Sequence, residues 1–178
     1  GGKTVRLGGV AKGSGMIHPN MGTMLCFLTT DCAISPEMIK TALLETVNVS
    51  FNRISVDGDT STNDSCIVLA NGLAGNETIT EKGADYDAFL EALQALCMTL
   101  AKKMASDGEG AEHLMVVEAY GLPTEHDARL VARSIAGSTL FKAALFGKDA
   151  NWGRIMAAAG YSGADVDPTK ADCILKSA

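Results

Sequence analysis

Thr23 is the residue whose neighbours best suit a nucleophilic role. It follows a glycine, Gly22, and precedes an apolar run, residues 24–30, that is typical of a buried strand. The glycines and the proline of residues 12–22 permit or fix unusual backbone angles, which predicts a shaped loop before the strand. A threonine at this position is the arrangement of an N-terminal nucleophile that is released by self-cleavage.

The chemistry of such a residue depends on a base, because a threonine hydroxyl is a weak nucleophile at neutral pH. After cleavage between Gly22 and Thr23, the new α-amino group is that base, since its ordinary pKa of about 8 lies close to working pH. In the cleavage itself the Thr23 hydroxyl attacks the Gly22 carbonyl, the acyl group moves to oxygen, and water hydrolyses the ester. A Gly-Thr pair before a strand is more often only a turn and a β-branched strand start, so other parts of the sequence must decide.

Other motifs along the chain favour the nucleophile over a simple turn. The chain resembles the ornithine acetyltransferase family, the bifunctional glutamate N-acetyltransferases of arginine biosynthesis. The matching motifs follow in register: residues 12–25, Phe51-Asn52, 56–64, 107–110 and 151–154. The resemblance implies the central part of a precursor that spans a self-cleavage site. Residues 1–22 would then end the α segment, and residues 23–178 would start the β segment.

The resemblance also implies an activity. Thr23 would take an acetyl group from N-acetylornithine as an ester, and glutamate would accept it to give N-acetylglutamate. Acetyl-CoA stays open as a second donor, and no cofactor or metal is expected. The three histidines are scattered, with no metal-ligand spacing.

Two substrate-binding residues carry over by position from the family. Lys12 matches a lysine upstream of the nucleophile, and Glu109 matches a glutamate in the glycine-flanked turn 107–110. An acid at a helix C-terminus is disfavoured by the helix dipole, which favours a local purpose for Glu109. The motif 151–154 is interpreted as structural, with its lone tryptophan in the core.

The sequence departs from the family pattern in coverage and in two motifs. Residues 111–113 are Ala-Glu-His instead of Ala-Thr-Lys, and residues 141–143 are Phe-Lys-Ala instead of Val-Lys-Thr. The family's oxyanion-hole Thr-Gly pair and its C-terminal substrate contacts have no counterpart here, and each missing oxyanion donor costs about 3–4 kcal/mol. Two alternatives therefore stay open: a self-processing aminopeptidase or amidohydrolase of the same architecture, and an inactive fragment.

Composition excludes several other classes. The 178 residues are 47% hydrophobic and 20% charged, as in a globular protein, and the net charge of -6 disfavours nucleic acid as a partner. No apolar run approaches the roughly 20 residues of a membrane span, and no signal peptide is expected at the start. Five cysteines without a Cys-x-x-Cys pair favour a reducing cytoplasm.

The polar run 57–64 resembles a calcium loop only in part. Thr62 stands where the sixth-position glycine of an EF-hand loop belongs, so this pattern disfavours a calcium site. We expect instead a network of side-chain hydrogen bonds at the edge of a site.

Periodicity predicts alternating strands and helices. The predicted strands are 5–12, 24–30, 52–56, 66–69, 114–119 and one starting at 173. The predicted helices are 84–106, one after the N-cap Ser35, one after the N-cap Thr124, and a short one from 151 to 159 capped by Asp149. On the long helix, Leu90 and Met98 widen the apolar face.

The expected fold class is therefore α/β, with a layered mixed sheet and packed helices. The resemblance implies the architecture of a self-processing N-terminal-threonine acetyltransferase. We place no internal boundary and predict a single domain or fragment. The resemblance implies a hetero-oligomer of α and β chains that includes the remaining segments of the precursor.

Overall fold

The computed structural model describes residues 2–18 and 24–177. The chain forms two compact units, residues 1–111 and residues 112–178. The predicted boundary between residues 22 and 23 lies outside the described residues. The elements are β1 (Leu7–Lys12), β2 (Leu25–Thr30), α1 (Pro36–Val49), a 3-10 turn (Phe51–Arg53), β3 (Ser65–Ala70), α2 (Ala84–Ser106), α3 (Glu125–Gly137), α4 (Thr139–Phe146) and α5 (Trp152–Gly160).

The first unit contains a three-stranded mixed sheet with β2 in the centre, which confirms the predicted fold class. β2 runs antiparallel to β1 and parallel to β3. Its side chains alternate, as the period of a strand requires. Cys26 and Leu28 are fully buried, whereas Phe27 between them is 47% exposed. One face of the sheet therefore carries the core and the other is open.

Helix α2 covers the core face of the sheet and has the predicted bounds. Its buried side chains recur at helical spacing and include Phe89, Leu93 and Cys97. Met98, however, is 42% exposed and does not widen the apolar face as predicted. Gly9 allows the helix to approach, because a Cβ there would meet a Leu28 methyl carbon at 2.5 Å and a Leu100 methyl carbon at 3.3 Å. Gly9, the second glycine of the pair in β1, thus serves the predicted close approach.

Helix starts follow the predicted caps, with one correction. The Ser35 hydroxyl accepts a hydrogen bond from the Met38 N–H, and the Thr124 hydroxyl accepts one from the Asp127 N–H. α5 is capped by Asn151, not by Asp149 as predicted.

The second unit is helical in its described residues. Its core joins α3, α4 and α5 through buried apolar side chains that include Val131, Ile135, Phe141 and Ile155. The segment 114–119 alternates between exposed and half-buried side chains as predicted for a strand. It forms no strand because no partner in the described chain pairs with it, and residues 173–175 are likewise exposed without a partner.

The predicted strand 52–56 is also wrong. Phe51, only 1% exposed, anchors a 3-10 turn into the core. After this turn the Val56 N–H donates to the Ile17 carbonyl at 2.6 Å, and residues 54–56 join no strand of the described sheet. Across the described residues, no helix is long and apolar enough to cross a membrane.

Candidate active site

Gly22 and Thr23 lie outside the described residues, so the site is built from the segments on either side of them. The upstream segment is residues 13–18, which leave β1. The downstream segment is residues 24–30, which enter β2. Both segments meet residues 55–64, named here the polar loop.

Asp57 of the polar loop holds the upstream segment. Its carboxylate accepts hydrogen bonds from the Met16 N–H at 2.5 Å and from the Ile17 N–H at 3.1 Å. Met16 has a φ of 55°, a left-handed conformation that is uncommon for a residue with a side chain. The two bonds from consecutive amides fix this turn to the loop.

Two further contacts extend the same attachment. The Thr60 hydroxyl donates to the His18 carbonyl at 3.0 Å, and Nδ1 of His18 lies 2.8 Å from the Ser55 hydroxyl. The chain is therefore bound to the polar loop up to residue 18, the last described residue before Gly22.

Asp64, at the other end of the polar loop, holds the downstream segment. Its Oδ1 accepts a hydrogen bond from the Met24 N–H, and the Met24 carbonyl accepts one from the Ser65 N–H at 2.8 Å. Met24 itself is only 3% exposed. The hydrogen-bond network predicted for residues 57–64 thus exists, and it spans both sides of the Gly22–Thr23 bond.

The two oxygens of Asp64 differ. Oδ2 is buried and has no hydrogen-bond partner among the described residues. Burial raises the pKa of the Asp64 carboxyl, and the Met24 N–H opposes this rise by favouring the charged form. Sequence reasoning pointed to the loop but did not single out this residue.

Lys12 lies at the end of β1, exposed, and its Cα pairs with that of Leu25 on β2. Leu25 is two residues after Thr23. The sheet register therefore places the predicted substrate-binding lysine beside the start of the strand that the nucleophile leads.

Glu109 reaches the upstream segment from the turn after α2. Its backbone N–H donates to the Ser14 carbonyl at 2.7 Å. Its Oε2 lies 3.0 Å from the position that a Cβ on Gly15 would take. Gly108 permits the turn, since a Cβ there would lie 2.8 Å from a Val56 methyl carbon. The structure thus brings both predicted substrate-binding residues to the segment that leads to Thr23.

An open groove of about 390 Å³ lies between the end of β1 and the last turns of α2. It is lined by Ala11, Lys12, Gly13, Ser14, Leu100, Lys103, Met104 and Asp107. This volume falls within the range of small-molecule sites. Lys103 and Asp107 were missed in the sequence, where Lys103 is only one polar residue beside the apolar stripe of a helix.

Among the described residues of the site, no cluster of side chains suits a metal ion. In residues 2–18 and 24–177, no group of three or more His, Cys, Asp or Glu side chains is arranged to hold one.

The motif 151–154 lies in the second unit. Besides the Asn151 cap, Arg154 donates to the Leu140 carbonyl at 2.7 Å, which ties α5 to α4. The structural interpretation holds for these two residues. It is wrong for Trp152, which is 66% exposed instead of buried in the core.

Comparison with known proteins points in one direction. A family model described as the ArgJ family matches residues 1–178. Two relatives are named arginine biosynthesis bifunctional protein ArgJ. That of Symbiobacterium thermophilum is 58% identical over 172 residues, 97% of this chain and 43% of the relative. That of Geobacillus stearothermophilus is 54% identical over 171 residues, 96% of this chain and 42% of the relative.

A solved structure agrees. The crystal structure of arginine biosynthesis bifunctional protein ArgJ from Bacillus halodurans superposes with a TM-score of 0.77 at 51% identity. The match covers 79% of this chain and 66% of the crystallised one. The chain therefore spans less than half the length of the curated relatives that it matches, and about two thirds of the crystallised chain.

Proposed function

Because the chain belongs to the ArgJ family, we propose that it is the central part of an acetyltransferase of arginine biosynthesis. It moves an acetyl group from N-acetylornithine to glutamate through an ester on Thr23, after self-cleavage between Gly22 and Thr23. The observation that carries this proposal is the attachment of both flanks of that bond to one polar loop.

This attachment supports self-cleavage for a physical reason. Attack of a hydroxyl on the preceding carbonyl needs the reacting atoms within about 3–3.5 Å of each other. Asp57 and Asp64 fix the chain a few residues before and one residue after the reacting pair. A peptide held on both sides loses less freedom on reaching the reactive geometry.

Chain lengths offer a second support. Since 79% of 178 residues is 66% of the crystallised Bacillus halodurans chain, that chain has about 210 residues. Since 172 residues are 43% of the Symbiobacterium thermophilum protein, that protein has about 400. The crystallised chain thus has about half the length of the full relative, which is the result expected when such a polypeptide is divided into two chains.

The charges near the upstream segment suit the proposed substrates. An acetylated amino acid such as N-acetylornithine carries a carboxylate and a side-chain ammonium. Lys12 supplies a cation for the first and Glu109 an anion for the second. Ornithine and glutamate occupy this one site in turn, which requires a covalent intermediate that holds the acetyl group between the two steps. The liberated α-amine of Thr23 accepts the hydroxyl proton, and the resulting acetyl ester then reacts with the amine of glutamate.

The remaining segments of the polypeptide complete the proposed enzyme as a hetero-oligomer of α and β chains. An exposed row of Val10, Phe27 and Ile67 crosses the open face of the sheet, paired in register. Contiguous exposed apolar side chains indicate a surface that a further part of the protein covers. Oxyanion donors and other substrate contacts would come from these segments. The free state of all five cysteines fits the proposed cytoplasmic location.

Replacing Thr23 by Ala in the full-length polypeptide tests the proposal. We expect mass spectrometry to show one uncut chain, and the transfer assay to show no N-acetylglutamate. The control is Thr62→Ala, an exposed threonine whose hydroxyl contacts its neighbour Asn63; it should cleave and transfer normally. Unchanged cleavage and activity in Thr23→Ala would overturn the proposal in favour of an inactive fragment.

The acceptor distinguishes the hydrolase alternative. With N-acetylornithine alone, the proposed transferase should release little free acetate and should form N-acetylglutamate once glutamate is added. Acetate release at the same rate with and without glutamate would identify an aminopeptidase or amidohydrolase instead.

Lys12→Ala and Glu109→Gln should each raise the KM for N-acetylornithine by about 10–100-fold, which is the loss of affinity expected when one charge-assisted hydrogen bond is removed.

A further inference from the structure

The self-cleavage step lacks the base that the later transfer step uses. Before cleavage the nitrogen of Thr23 is a peptide nitrogen, with no lone pair available to accept the hydroxyl proton. Some other group must take that proton as the hydroxyl attacks Gly22. This inference rests on the proposed function and asks which group that is.

Asp64 is bound to the residue that directly follows Thr23 in the chain. Asp64 accepts the Met24 N–H, and the Met24 nitrogen is bonded directly to the carbonyl carbon of Thr23. Four covalent bonds separate that nitrogen from the Thr23 hydroxyl oxygen, which holds the two atoms within about 5 Å of each other in any rotamer. The carboxylate bound at the Met24 nitrogen is therefore a candidate for the group that takes the proton.

The free oxygen of Asp64 is an unusual feature that needs a cause. Oδ2 is buried yet unpartnered in the described part of the chain. Buried polar atoms are nearly always hydrogen-bonded, because an unmet acceptor costs about 1–3 kcal/mol. Burial also raises the pKa of this carboxyl above its ordinary value, which makes it a stronger proton acceptor than an exposed aspartate.

Asp57, the carboxylate at the other end of the polar loop, has no oxygen left to accept this proton. Both oxygens of Asp57 are occupied, Oδ2 by the Met16 N–H and Oδ1 by the N–H groups of Ile17 and Asp59. Its contacts lie on the upstream segment, several residues before Thr23.

We propose that Oδ2 of Asp64 accepts the proton of the Thr23 hydroxyl during self-cleavage and returns it to the departing Thr23 nitrogen. The O–H bond of Thr23 breaks as its oxygen bonds to the Gly22 carbonyl carbon. The bond from that carbon to the Thr23 nitrogen then breaks, and the nitrogen takes the proton from Asp64 to become the α-amine. Water hydrolyses the resulting ester to a Gly22 carboxylate and a free Thr23 hydroxyl. Once the α-amine exists, it replaces Asp64 as the base of the transfer reaction.

Asp64→Asn in the full-length polypeptide separates this role from simple attachment. The amide oxygen of the substituted side chain still accepts the Met24 N–H, whereas the proton-accepting oxygen is gone. The first-order rate of cleavage, followed by mass spectrometry, should fall on the order of 10²–10⁴-fold. The matched control is Asp59→Asn, whose exposed side chain makes no hydrogen bond among the described residues.

The outcomes are distinct. Cleavage of Asp64→Asn at the normal rate would overturn the role of Asp64 while leaving the nucleophile in place. Failure of the proposed function itself would show instead as cleavage in Thr23→Ala. Should Asp64→Asn not fold, the pair Asp64→Glu and Asp64→Gln decides. The carboxylate variant should cleave at least tenfold faster than the amide, and equal rates would contradict the proposal.

Discussion

The two segments that flank the Gly22–Thr23 bond are anchored by different forces. The downstream segment enters the central strand of the sheet, with Met24, Cys26 and Leu28 buried and a partner strand on each side. The upstream segment leaves an edge strand and is held by hydrogen bonds to the polar loop, among them those to Asp57. The nucleophile would thus be carried by the core, whereas the bond to be cut is presented by a polar attachment that can be adjusted without damage to the fold.

The largest loss of stability should come from a substitution in the downstream segment. Leu28→Ala removes a fully buried side chain between the sheet and α2 and should lower the free energy of unfolding by about 2–5 kcal/mol. Denaturant unfolding measures this loss. Thr29→Ala, on the exposed face of the same strand, is the matched control and should cost less than about 1 kcal/mol. Equal losses in the two variants would show that burial does not anchor this segment.

A smaller effect is expected upstream. Asp57→Asn removes one of the two charged acceptors used by Met16 and Ile17, so it should lower the free energy of unfolding by about 1–3 kcal/mol. Asp59→Asn should change it by less than about 0.5 kcal/mol. The comparison between the two segments fails if Asp57→Asn costs more than Leu28→Ala.

The smallest effect should be on substrate binding alone. Gly15→Ala brings a methyl group to 3.0 Å from Oε2 of Glu109, whose flexible side chain must shift. KM should rise about threefold to tenfold with kcat nearly unchanged, equivalent to about 0.7–1.4 kcal/mol. Gly8→Ala, with 3.8 Å to the Thr29 hydroxyl, is the control. A lower kcat at unchanged KM would place Glu109 in the chemical step instead.

Much of the first unit could be predicted, because its signals are local. The buried run of β2, the apolar stripe of α2 and the cap at Ser35 are each set by residues close in sequence, and so is the cap at Thr124 in the second unit. Two of the failed strand predictions share one cause. Segments 52–56 and 114–119 have strand-like patterns, yet a strand also needs a partner, which periodicity does not report. Trp152 was placed in the core by its residue type, and it lies exposed at the first turn of α5.

By itself the sequence determined the family, the polar loop and the identity of Lys12 and Glu109 as residues to watch, because these depend on residue types at short spacing. Only the tertiary structure joined them. Residues some 40 positions apart meet where Asp57 and Asp64 bind the two flanks of one peptide bond, and Glu109 reaches Gly15 from the end of a helix. Oδ2 of Asp64, which has no partner among the described residues, is likewise a product of packing, since a side chain is buried only once the chain has folded around it.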